Sequence, residues 1–345
     1  MQFTYFDKNK ASFYMKDYFD SVFGNDNIKS LFKSYIENDK LSHAYMLNGP
    51  DGCGKKTFAR AVAYALALHQ NTEEVLLDKI SSGYSPDIFT LSSNDKRIGV
   101  DAVRNFVSSM YLTPNELDFK MYIFDRADAL TPQAQNALLK VIEEPPANVY
   151  IFLCCKNTAA ILKTVKSRVI TVNMETFSAD AIRRYIEKEG SSDILYDEAR
   201  LDFAFKMSDG AIGAVKALMD KDNGEYDAYI KANETVNSLS KKNRETGYFD
   251  FLNIVCSFAE NSDKLSLLIK YLLLIYRDIL SSQNSDEPDL YIIDSDTAMR
   301  YSSVFAVRTV LSSLDIISEV KKNMAFNSNL TSSTAYLAEN LWRKT

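Results

Sequence analysis

The sequence predicts an α/β domain built on a parallel sheet, followed by a chain segment that is helical throughout. In the first half, short apolar runs such as MYIF and NVYIFLCC alternate with stretches that are apolar at helical spacing. These runs are apolar on both faces, which is typical of parallel strands that helices cover on both sides. From Phe177 onward the helical period continues and no strand pattern returns.

The composition favours a globular protein of several domains. The chain has 345 residues, of which 46% are hydrophobic and 25% charged, and at roughly 150 residues per domain its length favours two or three domains. Four cysteines without a CxxC spacing indicate neither a disulfide framework nor a zinc site. No apolar run is long enough to span a bilayer, and no secretory signal is visible. We therefore expect a cytoplasmic protein without a membrane partner.

The charge balance argues against a broad nucleic-acid-binding surface. The net charge is −6, and residues 1–175 hold 20 of the 40 Lys and Arg and 20 of the 46 Asp and Glu residues. The whole acidic excess therefore lies in residues 176–345. Proteins that bind nucleic acid over much of their surface are normally basic, so contact with DNA would need a local patch or a larger assembly.

The elements are expected in a regular order. Strands are predicted at 87–91, at 121–124 and in the runs NVYIFLCC and VITVN, and helices in FARAVAYALAL, VDAVRNFVSSMYL, PQAQNALLKVIEE and AAILKTVKS. Thr131 and Pro132 provide an N-cap and a proline at the first helical position, and Pro145 ends that helix. Cys154 and Cys155 lie on one predicted strand and should point to opposite faces of the sheet.

These patterns divide the chain into four segments. Residues 19–176 form the α/β domain, residues 177–222 a small unit of three helices, and residues 223–345 a helical domain with a polar break at 281–289. Ser178 is the expected N-cap of the small unit's first helix, and Gly190 is its expected stop. Residues 1–18 form an N-terminal extension to which no role is assigned.

The strongest local signal is the stretch Gly49-Pro50-Asp51-Gly52-Cys53-Gly54-Lys55-Lys56. In a phosphate-binding loop, glycines let backbone N–H groups point at the phosphates, and the lysine reaches their oxygens. The next residue is normally Ser or Thr, whose hydroxyl holds Mg²⁺. Here that residue is Lys56, and Thr57 comes one position too late, about 100° further round the helix. The stretch thus indicates an impaired nucleotide site, and a glycine turn without a phosphate role is the alternative.

The residues after the predicted strand at 121–124 also differ from those of a working nucleotide site. Asp125 stands where a carboxylate that orients the metal belongs, and Arg126 stands where a glutamate would activate the attacking water. A guanidinium stays protonated and cannot act as a general base. Because Lys56 and Arg126 remove two independent parts of the site, we predict that this chain does not hydrolyse ATP by itself.

Four blocks in this order, HAYMLNGPDGCGK, RIGVDAVRNF, QAQNALLKVIEEPP and KTVKSR, resemble bacterial clamp-loader AAA+ subunits. The resemblance covers residues 19–220 and is most specific from Asn136 to Pro146. The defects of the nucleotide site and the segment Gly210-Ala211-Ile212-Gly213 are more similar to the delta-prime type than to the ATP-hydrolysing gamma/tau type. The fold it implies is a Rossmann-like P-loop AAA+ domain, a small helical lid and an all-α C-terminal collar domain for oligomerisation.

The resemblance also implies a function. It suggests a non-hydrolysing subunit of the DNA polymerase III clamp loader, within the polymerase holoenzyme, that helps to load the sliding clamp on primed DNA during replication. The implied partners are the gamma/tau and delta subunits in a hetero-oligomeric ring, the clamp, and primer–template DNA. No cofactor would be required, although weak ATP or ADP binding is compatible with the loop. The family's four-cysteine zinc module is missing, since 70–85 contains no cysteine.

Two further motifs are assigned by the resemblance. Ser167 and Arg168 fall on the family's Ser-Arg-Cys motif, whose arginine reaches the ATP of a neighbouring subunit and stabilises charge there. We expect Arg168 to lie at the far side of the sheet order from the phosphate loop, and a solvated arginine at a helix end is the alternative. The two family sensor positions fall on Cys155 and Gly213, and both have lost the usual polar side chain.

Candidate contacts to the DNA backbone are Arg97, Arg104 and Lys140, each of which has solvated surface as its alternative. Two rival functions are also open. An active gamma/tau-type motor subunit would need a hydroxyl at position 56, an acid at position 126 and a sensor arginine, and a free-standing P-loop enzyme would need an intact Mg²⁺ site and a substrate lid. The helical run LLIKYLLLIY is expected to supply either a collar interface or the core of its own domain.

Overall fold

The computed structural model describes residues 19, 22–92, 97–188, 197–242, 247–285, 287–324 and 329–345. The chain divides into two compact units, Met1–Ser191 with Ser208–Ala214, and Ser192–Met207 with Val215–Thr345. The expected extension 1–18 and the expected helix stop Gly190 lie outside the described residues. The boundaries expected from the sequence, near 177 and 223, stay predictions.

The first unit contains the predicted parallel sheet. Its strands are β1 (Ala44–Asn48), β2 (Ile88–Leu91), β3 (Lys120–Phe124), β4 (Val149–Cys155) and β5 (Ile170–Asn173). All neighbouring strands pair in parallel, in the order β2-β3-β4-β1-β5. Its helices are α1 (Asp26–Glu37), α2 (Lys55–His69), α3 (Glu74–Ser82), α4 (Val100–Ser108), α5 (Pro132–Glu143), α6 (Lys163–Lys166) and α7 (Ala179–Lys188).

Two apolar cores cover the two faces of this sheet. Buried residues of α1, α2 and α3 form one core, and buried residues of α4, α5 and α6 form the other. Cys154 belongs to the first core and Cys155 to the second, which confirms that they point to opposite faces. The three-layer α/β architecture predicted from the doubly apolar strands is therefore confirmed.

The start of α5 confirms the predicted capping. The Thr131 side chain accepts a hydrogen bond from the backbone N–H of Ala134, and Pro132 occupies the first turn. The hydroxyl satisfies one of the N–H groups that a helix start leaves without a partner, and proline has no N–H to satisfy. α5 therefore begins at a residue that the sequence specifies locally.

The predicted helix over AAILKTVKS is largely wrong. Residues Thr158–Ala160 form a 3₁₀ turn, Ile161 is extended, and only Lys163–Lys166 are α-helical. The cause is Gln135 of α5, which is 2% exposed. Its amide donates to the carbonyl of Ala160 at 3.0 Å and accepts from the N–H of Leu162 at 2.8 Å. These bonds engage the backbone groups that a continuous helix would need for itself.

The regular elements in the described part of the second unit are all helices. Its helices are α8 (Glu198–Met207), α10 (Glu225–Ser240), α11 (Tyr248–Phe258), α12 (Ser262–Asn284), α13 (Ser295–Val304), α14 (Val307–Met324) and α15 (Leu330–Lys344), while α9 (Ile212–Met219) begins in the first unit and ends in this one. The apolar run of α12 is buried in this unit's own core, with Leu268, Leu272 and Ile275 at 0% exposure. Most of the run is therefore core, while Leu267, Leu273 and Leu274 are only partly buried.

A buried carboxylate fixes the chain after α12. Asp278 is 0% exposed and accepts hydrogen bonds from the backbone N–H groups of Tyr291, Ile292 and Ile293. These contacts bring the polar break back against the long helix. None of the helices in the described part of the chain is both long and apolar enough to cross a membrane.

Candidate functional site

The glycine-rich loop lies between β1 and α2, as the motif requires. Gly52 and Gly54 have φ angles of 82° and 91°, in the left-handed region that residues with a Cβ seldom adopt. The loop leads directly into the first turn of α2, whose backbone N–H groups carry the positive end of the helix dipole. The helix predicted after the loop, in FARAVAYALAL, is confirmed.

Lys55 is turned back onto this loop. The residue is 8% exposed, and its Nζ donates to the carbonyls of Gly49 at 2.6 Å and Pro50 at 2.7 Å. Two of its three N–H donors are thereby satisfied by the loop itself. Beside it, burial raises the pKa of the Cys53 thiol, which keeps that group neutral at physiological pH. A phosphate would have to compete with the carbonyls for the Lys55 ammonium.

Lys56 places a positive charge where a phosphate-binding loop normally has the hydroxyl that holds Mg²⁺. Its Nζ lies 3.3 Å from Oδ2 of Asp125, and the hydroxyl of Ser92 donates to the same oxygen at 3.4 Å. Thr57, one residue further along, is exposed. Mg²⁺ requires oxygen ligands at about 2.0–2.1 Å in octahedral geometry, and an ammonium at this distance repels it. The residues present therefore fit an internal ion pair and do not fit Mg²⁺.

The end of β3 carries the second substitution. Arg126 has a φ angle of 67°, in the left-handed region, and begins the turn Ala127–Ala129. A guanidinium in this position offers donors only and cannot accept a proton from water. The structure thus places Asp125 and Arg126 directly after a buried strand, as the sequence predicts.

The first turn of α9 packs closely against the glycine-rich loop. The N–H of Gly213 donates to the carbonyl of Gly52 at 2.9 Å. A Cβ at Gly213 would lie 2.7 Å from that carbonyl oxygen, and a Cβ at Gly52 would lie 2.4 Å from the N of Ala214. The arginine that the resemblance expects in motor subunits therefore has no room at position 213 unless the backbone moves.

Polar groups occupy the carboxyl ends of the strands, and among them Asn48, Asn173 and Lys156 belong to no motif that predicts a role. The amide of Asn48, at the end of β1, donates to Oδ1 of Asn173, at the end of β5, at 2.9 Å. Cys155 stands at the first sensor position, and burial raises its pKa to about 11. Lys156 pairs with Asp51 of the loop at 3.6 Å. The position of these residues at predicted strand ends was the signal available in the sequence.

Arg168 lies at the opposite edge of the sheet. It precedes β5, whose Ile170 pairs with Tyr45 at the start of β1, whereas the glycine-rich loop follows the end of β1. Four strand residues at about 3.3 Å each separate the two positions by roughly 13 Å or more. The expected separation across the sheet order was wrong, because β5 is the direct neighbour of β1. The separation runs along the strands.

Three acceptors hold the Arg168 side chain. Its Nε donates to Oε1 of Glu143 at 2.5 Å, and its Nη1 donates to the carbonyl of Thr164 at 2.9 Å and to Oγ of Ser167 at 3.2 Å. Glu143 ends α5, so the contact joins two elements that lie 25 residues apart in the chain. Glu143 lies within the most specific block of the resemblance, but no motif predicts a role for it.

The three candidate DNA contacts are all exposed. Arg104 on α4 forms an ion pair with Asp101 at 3.6 Å, Lys140 lies on α5, and Arg97 precedes the residue that bridges to Leu130. Among the described residues, no group of three or more His, Cys, Asp and Glu side chains is arranged to hold a metal ion. The DNA assignments stay predictions.

Comparison with known proteins gives consistent matches. The family model described as "DNA polymerase III, delta subunit" matches residues 24–178. The DNA polymerase III subunit delta' of Bacillus subtilis is 27% identical over 311 residues, which cover 88% of this chain and 91% of that protein. The subunit gamma of Buchnera aphidicola is 26% identical over 234 residues, covering 65% of this chain and 60% of that protein.

Other matches are partial or more distant. The subunit tau of Bacillus subtilis is 24% identical and covers 76% of this chain, and the chain spans 50% to 60% of the length of these tau and gamma relatives. The structural match to a DNA polymerase III gamma subunit-related protein from Thermotoga maritima covers 92% of this chain and 99% of the Thermotoga chain. The sequence identity is 21%, and the TM-score is 0.49. In its sequence matches, its parallel sheet and its glycine-rich loop, the chain is similar to clamp-loader subunits.

Proposed function

We propose that this chain is the delta-prime-type, non-hydrolysing subunit of a DNA polymerase III clamp loader. The observation that carries the proposal is the Lys56–Asp125 ion pair, in which a fixed ammonium stands where an active subunit binds its metal. The match to a delta' subunit extends over nearly the whole of both chains. The gamma and tau relatives are matched over about half of their length, so the motor function is the weaker candidate.

Arg168 is the residue through which the subunit acts. In this proposal it stabilises the charge that develops on the γ-phosphate of ATP bound to a neighbouring subunit, and Ser167 orients it. Its position at the amino edge of the sheet, away from the chain's own loop, supports action in trans. Its partners are gamma/tau and delta subunits, the sliding clamp and, through the complex, primer–template DNA. The chain requires no metal or nucleotide for this role.

The first experiment measures ATP hydrolysis by the isolated protein. Steady-state phosphate release should remain at background with and without Mg²⁺, since neither a metal-binding hydroxyl nor a general base is present. Turnover that disappears in a Lys55→Ala variant would contradict the proposal and favour a motor subunit. Nucleotide binding without turnover agrees with it.

The second experiment tests assembly and the arginine. Purification from cell extract, followed by mass spectrometry, should recover the other clamp-loader subunits. In the reconstituted complex, Arg168→Ala should lower DNA-stimulated ATP turnover and clamp loading while assembly persists. Arg168→Lys should rescue poorly, because a point charge does not reproduce the planar guanidinium. Wild-type rates with alanine would remove Arg168 from the mechanism.

A further inference from the structure

The carboxylate of Glu143 is the strongest contact of the Arg168 guanidinium. The Nε–Oε1 distance is 2.5 Å, and the two side chains are 46% and 38% exposed. A charged pair at this exposure contributes little to folding stability, because water screens both charges. The fold therefore gains little from this contact, and its main effect is on where the guanidinium points.

The remaining hydrogen bonds of the Arg168 guanidinium to described residues are all made by Nη1. Nη1 donates to the Thr164 carbonyl and to Oγ of Ser167, and that hydroxyl itself donates to the Thr164 carbonyl at 3.1 Å. Nη2 of Arg168 donates to no acceptor within the described part of the chain. Its two N–H groups are therefore available to a ligand, while Nε and Nη1 are used to orient the side chain.

We propose that Glu143 is the positioning residue for Arg168. It holds Nε so that Nη2 is presented outward to an anionic oxygen of a neighbouring subunit's nucleotide. This inference rests on the proposed function of Arg168 in trans. An arginine side chain carries substantial rotamer entropy, and a group fixed before the neighbour arrives does not lose that entropy at the moment of reaction.

The alternative role for the same contact is competition. A carboxylate beside the guanidinium also lowers the local positive potential, so Glu143 would hinder the arginine if the pair had to break for function. The two roles predict opposite signs for removal of the carboxylate. Positioning predicts slower turnover, and competition predicts faster turnover.

The experiment uses the reconstituted complex with variants in this chain alone. Glu143→Ala should lower the kcat of DNA-stimulated ATP hydrolysis about tenfold and leave the KM for ATP within twofold. Glu143→Gln should keep at least half of the wild-type kcat, because the amide oxygen can still accept from Nε. Glu144→Ala is the matched control, since it removes the adjacent exposed carboxylate, and it should behave as wild type.

A double-variant cycle separates this inference from the proposed function. In an Arg168→Ala background, Glu143→Ala should cause no further loss. If Arg168→Ala itself has wild-type rates, the proposed function fails and the positioning role with it. If Arg168→Ala is slow but Glu143→Ala is at wild-type rate or faster, only the positioning role is overturned. Equal losses in Glu143→Gln and Glu143→Ala would also overturn it.

Discussion

The two edges of one parallel sheet have opposite characters. At the carboxyl edge, two lysines satisfy groups of the protein itself, Lys55 with loop carbonyls and Lys56 with Asp125. At the amino edge, Arg168 is held by Glu143 through Nε while Nη2 stays available to a ligand. The lysines of the glycine-rich loop are thus paired with groups of the protein itself, whereas Nη2 of Arg168 has no acceptor among the described residues.

This difference shows that a chain can have the sheet and loops of a nucleotide-binding fold without having the side chains of a working nucleotide site. At both edges the parallel sheet and its crossovers determine where each loop lies. The chemistry of each edge depends on which acceptors the lysine or arginine side chains there contact. Where neighbouring carboxylates or carbonyls accept from some of its donors, a lysine or arginine has fewer donors left for a phosphate from outside.

The largest expected effect compares the two edges in the assembled complex. Arg168→Ala should slow the neighbouring site about 10³-fold, the scale of an arginine acting in trans. Lys55→Ala in this chain should change turnover less than twofold. Rapid phosphate release from the complex measures both, since the loss of one site removes one site's share of the burst amplitude. Equal losses in the two variants would abolish the distinction between the edges.

The next effect concerns the rigidity of the amino edge. Asp87, just before β2, is 0% exposed and accepts from the backbone N–H groups of Asn115, Glu116 and Leu117. Asp87→Asn turns a donor group toward these donors, and we expect the first unit to lose about 3 kcal/mol of unfolding free energy. Hydrogen exchange of the β2 and β3 amides in urea measures it. The exposed Asp101→Asn is the control and should lose less than about 0.5 kcal/mol.

The same residue gives a pH dependence. Burial by itself would raise the pKa of Asp87, but the hydrogen bonds from Asn115, Glu116 and Leu117 outweigh it and lower the pKa. A pKa below the unfolded value of about 3.9 means that Asp87 stabilises the fold fully above that pH and loses this contribution as the pH falls. The difference between wild type and Asp87→Asn should therefore shrink below about pH 4. A difference that grows there would contradict this assignment.

A smaller effect tests the carboxyl edge. Lys56→Ser should remove the ammonium from Asp125 and supply a hydroxyl, so that ADP binding becomes about tenfold tighter with Mg²⁺ than with chelator, or about 1.4 kcal/mol. Calorimetric titration of both proteins measures this ratio, which should be near one in the wild type. Lys79→Ser, which removes a surface ion pair with Glu116, is the control. Magnesium-dependent binding by the wild type would contradict the internal ion pair.

The smallest expected effect is at Lys156. Its ion pair with Asp51 joins two side chains that are 53% and 56% exposed. Exposed pairs of this kind contribute about 0–1 kcal/mol, so Lys156→Ala should change unfolding free energy by less than about 0.5 kcal/mol. Urea unfolding is the measurement. A loss comparable with that of Asp87→Asn would show that the carboxyl edge is as firmly built as the amino edge.

Features whose causes lie within a few residues of each other could be predicted from the amino-acid sequence alone. The cap at Thr131, the opposite faces of Cys154 and Cys155, and the alternation of strands and helices all follow from local propensity and period. The replacements at positions 56 and 126 were visible as well, because the loop motif has fixed spacing. Their chemistry, loss of a metal ligand and of a base, needed only the residue types.

Contacts between residues that are distant in the chain could be established only from the tertiary structure. Gln135 interrupts the expected helix over AAILKTVKS from another element, and β5 lies beside β1 although β4 precedes it in the chain. Periodicity could not tell whether the apolar run of α12 was core or interface, since both require the same pattern. Lys56 meets Asp125 across 69 residues, and Glu143 meets Arg168 across 25. Crossover connections set such contacts, and local propensity carries no information about them.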